Sequence, residues 1–173
     1  MSAYDWSKSF HEAYERAVAA YAAGKRDAEV VVGKADREFL ATIGHTAQEL
    51  YDFAEDAVNY GEPDYSTVLL ITAARRDYFL HVQKGIPTGK VVPTSTLPPK
   101  DAEVEGIRWL PRLIEKARIK LRGEMDGDLM YGCGGDRSFF KTHGVHPADF
   151  LRMTWAVGDH KERLVEYIKA ASR

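Results

Sequence analysis

Nine consecutive residues, Asp136-Arg137-Ser138-Phe139-Phe140-Lys141-Thr142-His143-Gly144, align without a gap to Asp36-Arg37-Glu38-Phe39-Leu40-Ala41-Thr42-Ile43-Gly44, one hundred positions earlier, and five of the nine are identical. Self-similarity at a fixed spacing marks a supersecondary unit used more than once. The apolar pattern agrees with that reading. Phe10, Ala13, Tyr14, Ala17 and Tyr21 stand one hundred positions before Leu110, Leu113, Ile114, Ala117 and Leu121, and each set has the intervals of one helical face. Further on, Pro147, Asp149 and Phe150 occupy the places of Ala47, Glu49 and Leu50, and Gly158-Asp159 answers Gly61-Glu62 after a slightly shorter join. Two copies are too few for a solenoid. The expected fold is therefore mainly α, with about eight helices in two similar units related by a pseudo-twofold.

Start and stop signals divide these units into helices. Ser9 with Glu12 has the spacing of a capping box ahead of the first apolar face, and Gly24 ends it. Glu29-Val30-Val31-Val32-Gly33 is short and β-branched, which favours an extended connector. Asp36 reads as the cap of a helix closed by Gly44, and Asp136 as its counterpart. Thr46 with Glu49 repeats the capping box ahead of a helix ending at Gly61, and another helix is expected from about Asp64 to His81. Asp159 with Glu162 signals the last helix, carrying Leu164, Tyr167 and Ile168. Between these blocks Pro87, Pro93, Pro98 and Pro99 break any helical period. Residues 84–108 are thus expected to be an extended connector between units 1–83 and 109–173, the whole forming one compact domain.

Bulk properties limit the function classes. A hydrophobic fraction of 45% is ample for a core, and a formal charge of -2 gives no general electrostatic reason to hold nucleic acid. No apolar run approaches the roughly 20 residues that cross a bilayer, and the first residues lack the charged and apolar regions of a signal peptide, so a cytoplasmic, soluble protein is expected. The single cysteine cannot form an internal disulfide.

Trp109-Leu110-Pro111-Arg112-Leu113-Ile114-Glu115-Lys116-Ala117-Arg118, then Tyr131-x-Cys133-x-x-Asp136-x-x-Phe139 and a late Asp-capped helix, resemble a bacterial family catalogued as domain of unknown function 5069. The likeness extends over most of the chain and is strongest from Gly106 to Tyr167. Where members often have Cys-Pro, this chain has Cys133-Gly134, which implies a freer local backbone. The resemblance implies a small, mainly helical bacterial protein and brings no activity, cofactor or catalytic residue with it.

The candidate chemistry centres on Cys133. It lies close to the start of a helix, where the positive end favours a reactive sulfur, among glycines that let a ligand approach the backbone. A buried thiol on a tight turn is the plainer alternative. Gly33 at the equivalent place confines any thiol chemistry to one unit. His143 and His146 are candidate bases, although His143 replaces Ile43 on a helix face and His146 is placed to cap the next helix. Together with Cys133 they match no standard metal motif, so no metal site is expected. Arg137 could hold an anion or pair locally, and Trp109 and Tyr131 could wall a pocket or serve the core. No serine-nucleophile elbow, phosphate loop or zinc-protease motif is present. Two functions are open to such a chain. The first is a non-catalytic module binding a small molecule or a protein near the Cys133 loop, with a homodimer admitted. The second is a thiol-dependent enzyme or redox protein using Cys133 with His143 or His146. The sequence does not decide whether the protein is an enzyme, and it names no cofactor.

Overall fold

The computed structural model describes residues 4–172. They form nine α-helices, one 3-10 turn and one two-stranded hairpin, grouped in two compact units, Met1–Gly85 and Ile86–Arg173. The mainly α expectation therefore holds. One more helix is present than the expected eight.

The first unit begins with α1 (Trp6–Ala22), which buries Phe10, Ala13, Tyr14, Ala17 and Tyr21, the predicted face. Its start differs from the expected Ser9 cap. Ser9 already lies inside the helix, its N–H bonded to the Asp5 carbonyl at 3.1 Å. The stretch expected to be a connector contains the extra helix, α2 (Ala28–Val31). The Asp27 carboxylate accepts from the N–H groups of Glu29 and Val30 at 2.9 and 3.1 Å, and this capping outweighs the extended preference of the valines. In α3 (Lys34–Thr42) the N-cap is Gly33, so Asp36 sits in the first turn instead of capping it. α4 (Ala47–Tyr60) has the full Thr46–Glu49 capping box and ends on left-handed Gly61, as predicted. Asp64 caps α5 (Tyr65–His81) through the Thr67 N–H at 2.7 Å. α1 packs chiefly on α4. The core includes Phe10, Leu40, Leu50, Phe53, Val68 and Ile71, all nearly or fully sealed from solvent.

In the second unit the proline-rich stretch is ordered against α6 (Leu110–Arg122) and the turn after it. The Val92 N–H bonds to the Glu124 carbonyl at 2.9 Å, and Arg112 donates to the Pro98 carbonyl at 2.8 Å. Leu97 is buried with Ile119 and Leu129, flanked by Val92 and Met125. The stretch contains the 3-10 turn Thr94–Thr96 and a hairpin of β1 (Glu103–Val104) and β2 (Ile107–Arg108), antiparallel, with Glu103 opposite Arg108.

Three more helices complete the unit: α7 (Gly134–His143), α8 (Pro147–Val157) and α9 (Lys161–Ala171). α6 buries the predicted Leu110, Leu113, Ile114, Ala117 and Leu121, and it buries Lys116 and Lys120 as well. α8 packs on α6 and α9, and α7 meets α9. His146 caps α8, its Nδ1 accepting from the Ala148 N–H at 3.2 Å. Two expected caps are corrected. Cys133, not Asp136, is the N-cap of α7, and His160, not Asp159, precedes α9.

Candidate functional site

α6 and α7 bring a lysine, an aspartate and the cysteine into one cluster. Lys116 lies one turn beyond Leu113 on the buried side of α6, and its side chain is 2% exposed. Asp136 lies in the first turn of α7 and is fully buried. Burying two charges costs several kcal/mol each unless the pair is well bonded, and here it is. Asp136 Oδ2 accepts from Lys116 Nζ at 2.6 Å and from the Gly132 N–H at 2.9 Å, while Oδ1 accepts from Trp109 Nε1 at 2.9 Å. Lys116 Nζ also lies 3.4 Å from Cys133 Sγ. Its ammonium thus holds the carboxylate and the sulfur together.

The loop glycines have specific work in this arrangement. Gly132 adopts φ 88°, open mainly to glycine, and this conformation presents its N–H to Asp136. A Cβ on Gly135 would lie 2.7 Å from Trp109 Cζ2, so the indole rests directly on the first turn of α7. Gly134 and Gly135 are exposed and Cys133 is partly exposed. The sulfur sits between the Lys116 ammonium, itself paired with Asp136, and the start of α7.

The other residues singled out from the sequence occupy different roles. Arg137 donates through Nη1 to the Gly132 carbonyl at 2.8 Å, fastening the loop. Tyr131 is buried, donates to the Pro147 carbonyl at 2.8 Å and meets Phe140 edge-on. Burial, reinforced by the negative charge of Asp136, pushes its hydroxyl well above the usual phenol range, which fits a structural hydrogen-bond donor. His143 lies over Phe139, and its Nδ1 meets Ser172 Oγ at 2.8 Å. His146 caps α8. The structure therefore joins Trp109, Cys133 and Arg137 around one loop. It engages the rings of His143 and His146 elsewhere, with neither hydrogen-bonded to the sulfur. Sequence reasoning missed Lys116. The available signal was spacing: Arg16 precedes Asp36 by the same interval that separates Lys116 from Asp136.

A separate cavity of about 420 Å³ opens beside the hairpin, with Val104, Pro111, Ile114 and Val165 in its wall and Glu103, Glu105, Glu115, Lys161 and Glu162 around it. None of the sequence-selected residues lines it. Among the described residues no three His, Cys, Asp or Glu side chains gather in a metal-binding arrangement. Likewise, no helix among them is long and apolar enough to cross a membrane.

Residues 95–173 match the model of a family described as Domain of unknown function (DUF5069). The chain is similar to the DUF5069 family over these residues. No curated protein and no solved structure matches the chain. The DUF5069 segment contains the whole cluster of Trp109, Lys116, Cys133 and Asp136, together with the hairpin and α6 to α9. α1 to α5 lie outside the matched residues.

Proposed function

We propose that the DUF5069 half is a thiol-reactive domain in which Cys133 is the group that meets a small electrophile or oxidant and Lys116 positions its sulfur. The observation that carries this reading is the 3.4 Å contact between Lys116 Nζ and Cys133 Sγ, made by an ammonium that is itself fixed by buried Asp136. A buried lysine satisfied by one carboxylate has no structural need of a thiol, and placing it there orders a nucleophile. Lys116 takes the place that His143 and His146 were expected to fill. The test is the rate at which native protein reacts with a small thiol reagent. Native Cys133 is expected to react readily, and Lys116→Met to slow it about tenfold, the loss of one charged hydrogen bond. Reaction only after denaturation would overturn the reading.

The cavity beside the hairpin supports a second reading, that of a non-catalytic module binding a small ligand. Its apolar wall suits an aliphatic stem, and its rim, where Glu103 stands beside Lys161 and the ion-paired Glu105, Glu115 and Glu162, suits a polar head such as an amine. A thermal-shift series with alkyl amines tests it, and the absence of any concentration-dependent shift would turn the binding reading toward a protein partner.

We further propose that the two units descend from one duplicated unit. Support comes from bonds that recur one hundred residues apart. Arg37 donates to the Val32 carbonyl as Arg137 does to that of Gly132, and Arg16 pairs with Asp36 as Lys116 does with Asp136. On this view thiol chemistry was added to, or kept by, one copy only. A single unpaired thiol of this kind is suited to a reducing compartment such as the cytoplasm.

A further inference from the structure

We infer that Cys133 and Lys116 are an oxidative modification site, at which peroxide closes a reversible sulfur–nitrogen bond between the two side chains and so locks α6 to the start of α7. The inference rests on the thiol reading above. The sulfur does not stand alone at the helix start, because a lysine that is 2% exposed is aimed at it from another helix and already in hydrogen-bond contact at 3.4 Å. A sulfenic acid condenses with a thiol or with a backbone nitrogen beside it, and a side-chain amine held against the sulfur can attack in the same way. Cys133 is the only cysteine in the chain, so no internal disulfide can compete, and Lys116 Nζ is the side-chain nitrogen in contact with the sulfur, in competition with the backbone amide of Gly134.

The chemistry balances in two steps. Hydrogen peroxide accepts two electrons from the Cys133 sulfur, giving the sulfenic acid and one water. Lys116 nitrogen then attacks the sulfur. The S–O bond breaks, the S–N bond forms, and the oxygen leaves as a second water. For that attack the ammonium first passes one proton to Asp136 Oδ2, which already accepts from Nζ at 2.6 Å, and the departing hydroxide takes the second N–H proton to become the water. A dithiol reverses the bond by reducing the sulfur and returning the amine. The bonds that Asp136 accepts from Trp109 and Gly132 do not involve the lysine. The first unit provides an internal contrast, since the corresponding positions are Arg16 and Gly33, with neither amine nor thiol.

The test is intact-mass and peptide mapping of the whole wild-type chain treated with hydrogen peroxide, so the principal readout needs no variant. The expected product is about 2 Da lighter, has lost tryptic cleavage after Lys116, yields a Lys116–Cys133 linked peptide and reverts with dithiothreitol. Cys133→Ser abolishes it. Gain of about 16 or 32 Da at Cys133, or a loss of about 2 Da confined to the Cys133 peptide, with Lys116 still cleaved, would overturn the inference and leave the thiol reading standing. A native chain inert to peroxide whose urea-unfolded form oxidises would overturn both.

Discussion

Arg16 and Lys116 each stand twenty residues ahead of an aspartate, yet the two ion pairs they form are physically different. Arg16 is 57% exposed and grips the half-buried Asp36 through Nη2 and Nε, at 2.7 and 3.0 Å. Lys116 and Asp136 are sealed from solvent. The surroundings account for the difference. In the first unit α2 uses the Val32 N–H for its own bond to the Ala28 carbonyl, so it cannot serve Asp36. The second unit has no helix at the equivalent place, and the Gly132 N–H is free to turn onto Asp136. Trp109 supplies the third donor, where the first unit has Ser9 inside a helix. A lone ammonium can then be buried, and its remaining protons reach the sulfur. One spacing has produced a surface clasp in one unit and a buried polar centre in the other.

The largest expected effect lies in breaking the two pairs. Lys116→Met leaves a fully buried carboxylate without its cation and is expected to destabilise the second unit by about 3–5 kcal/mol. Arg16→Met removes an exposed pair and is expected to cost under about 1 kcal/mol. Urea unfolding of the two variants checks this. Equal losses would mean that burial does not separate the pairs.

Gly44 and Gly144 sharpen the comparison at a second position. Both are left-handed, at φ 73° and 64°, so alanine at either carries the left-handed cost of about 1–2 kcal/mol. Their surroundings differ. A Cβ at Gly44 would lie 2.5 Å from Phe79 Cγ, a buried ring, whereas at Gly144 its nearest neighbour would be the Ala171 carbonyl oxygen at 3.6 Å. Gly44→Ala is therefore expected to lose a further 1–3 kcal/mol or so from overpacking. Matching thermal shifts in the two alanine variants would remove the distinction.

These contrasts also mark where the sequence was readable. The faces of α1 and α6, the Thr46–Glu49 box and the Asp64 cap depend on residues a few positions apart, and local spacing revealed them. Asp36 and Asp136 misled because an aspartate at a helix start can cap that helix or sit within its first turn. The choice depends on what arrives from another helix. For Asp136 that partner is Lys116, a residue which by composition belongs on the surface. Cys133 was found as a candidate by its glycine-rich setting, whereas the group holding its sulfur lies on α6 and left no local sign.

The smallest effect concerns how each unit secures the chain after its first long helix. At position 26 the Arg26 guanidinium lies 3.9 Å over the Tyr21 ring and donates to the carbonyls of Tyr21 and Lys25. At position 126 an aspartate accepts from the Thr94 N–H at 3.0 Å and ties down the proline-rich stretch. That backbone bond is the main cause holding the Asp126 carboxyl below its usual range. A lowered folded value means that the tie is at full strength above the ordinary carboxyl range and is lost as pH falls through the folded value. Protection of the Thr94 N–H from hydrogen exchange should thus be constant above about pH 5 and decline below about pH 4. Asp126→Asn should weaken it and remove the decline. The Arg26 anchor should not respond over the same range, because a guanidinium stays charged throughout. A Thr94 protection factor indifferent to pH in wild type would show that the proline-rich stretch is held by the Leu97 cluster and the Val92 and Arg112 bonds without Asp126, and the two anchors would then not differ in kind.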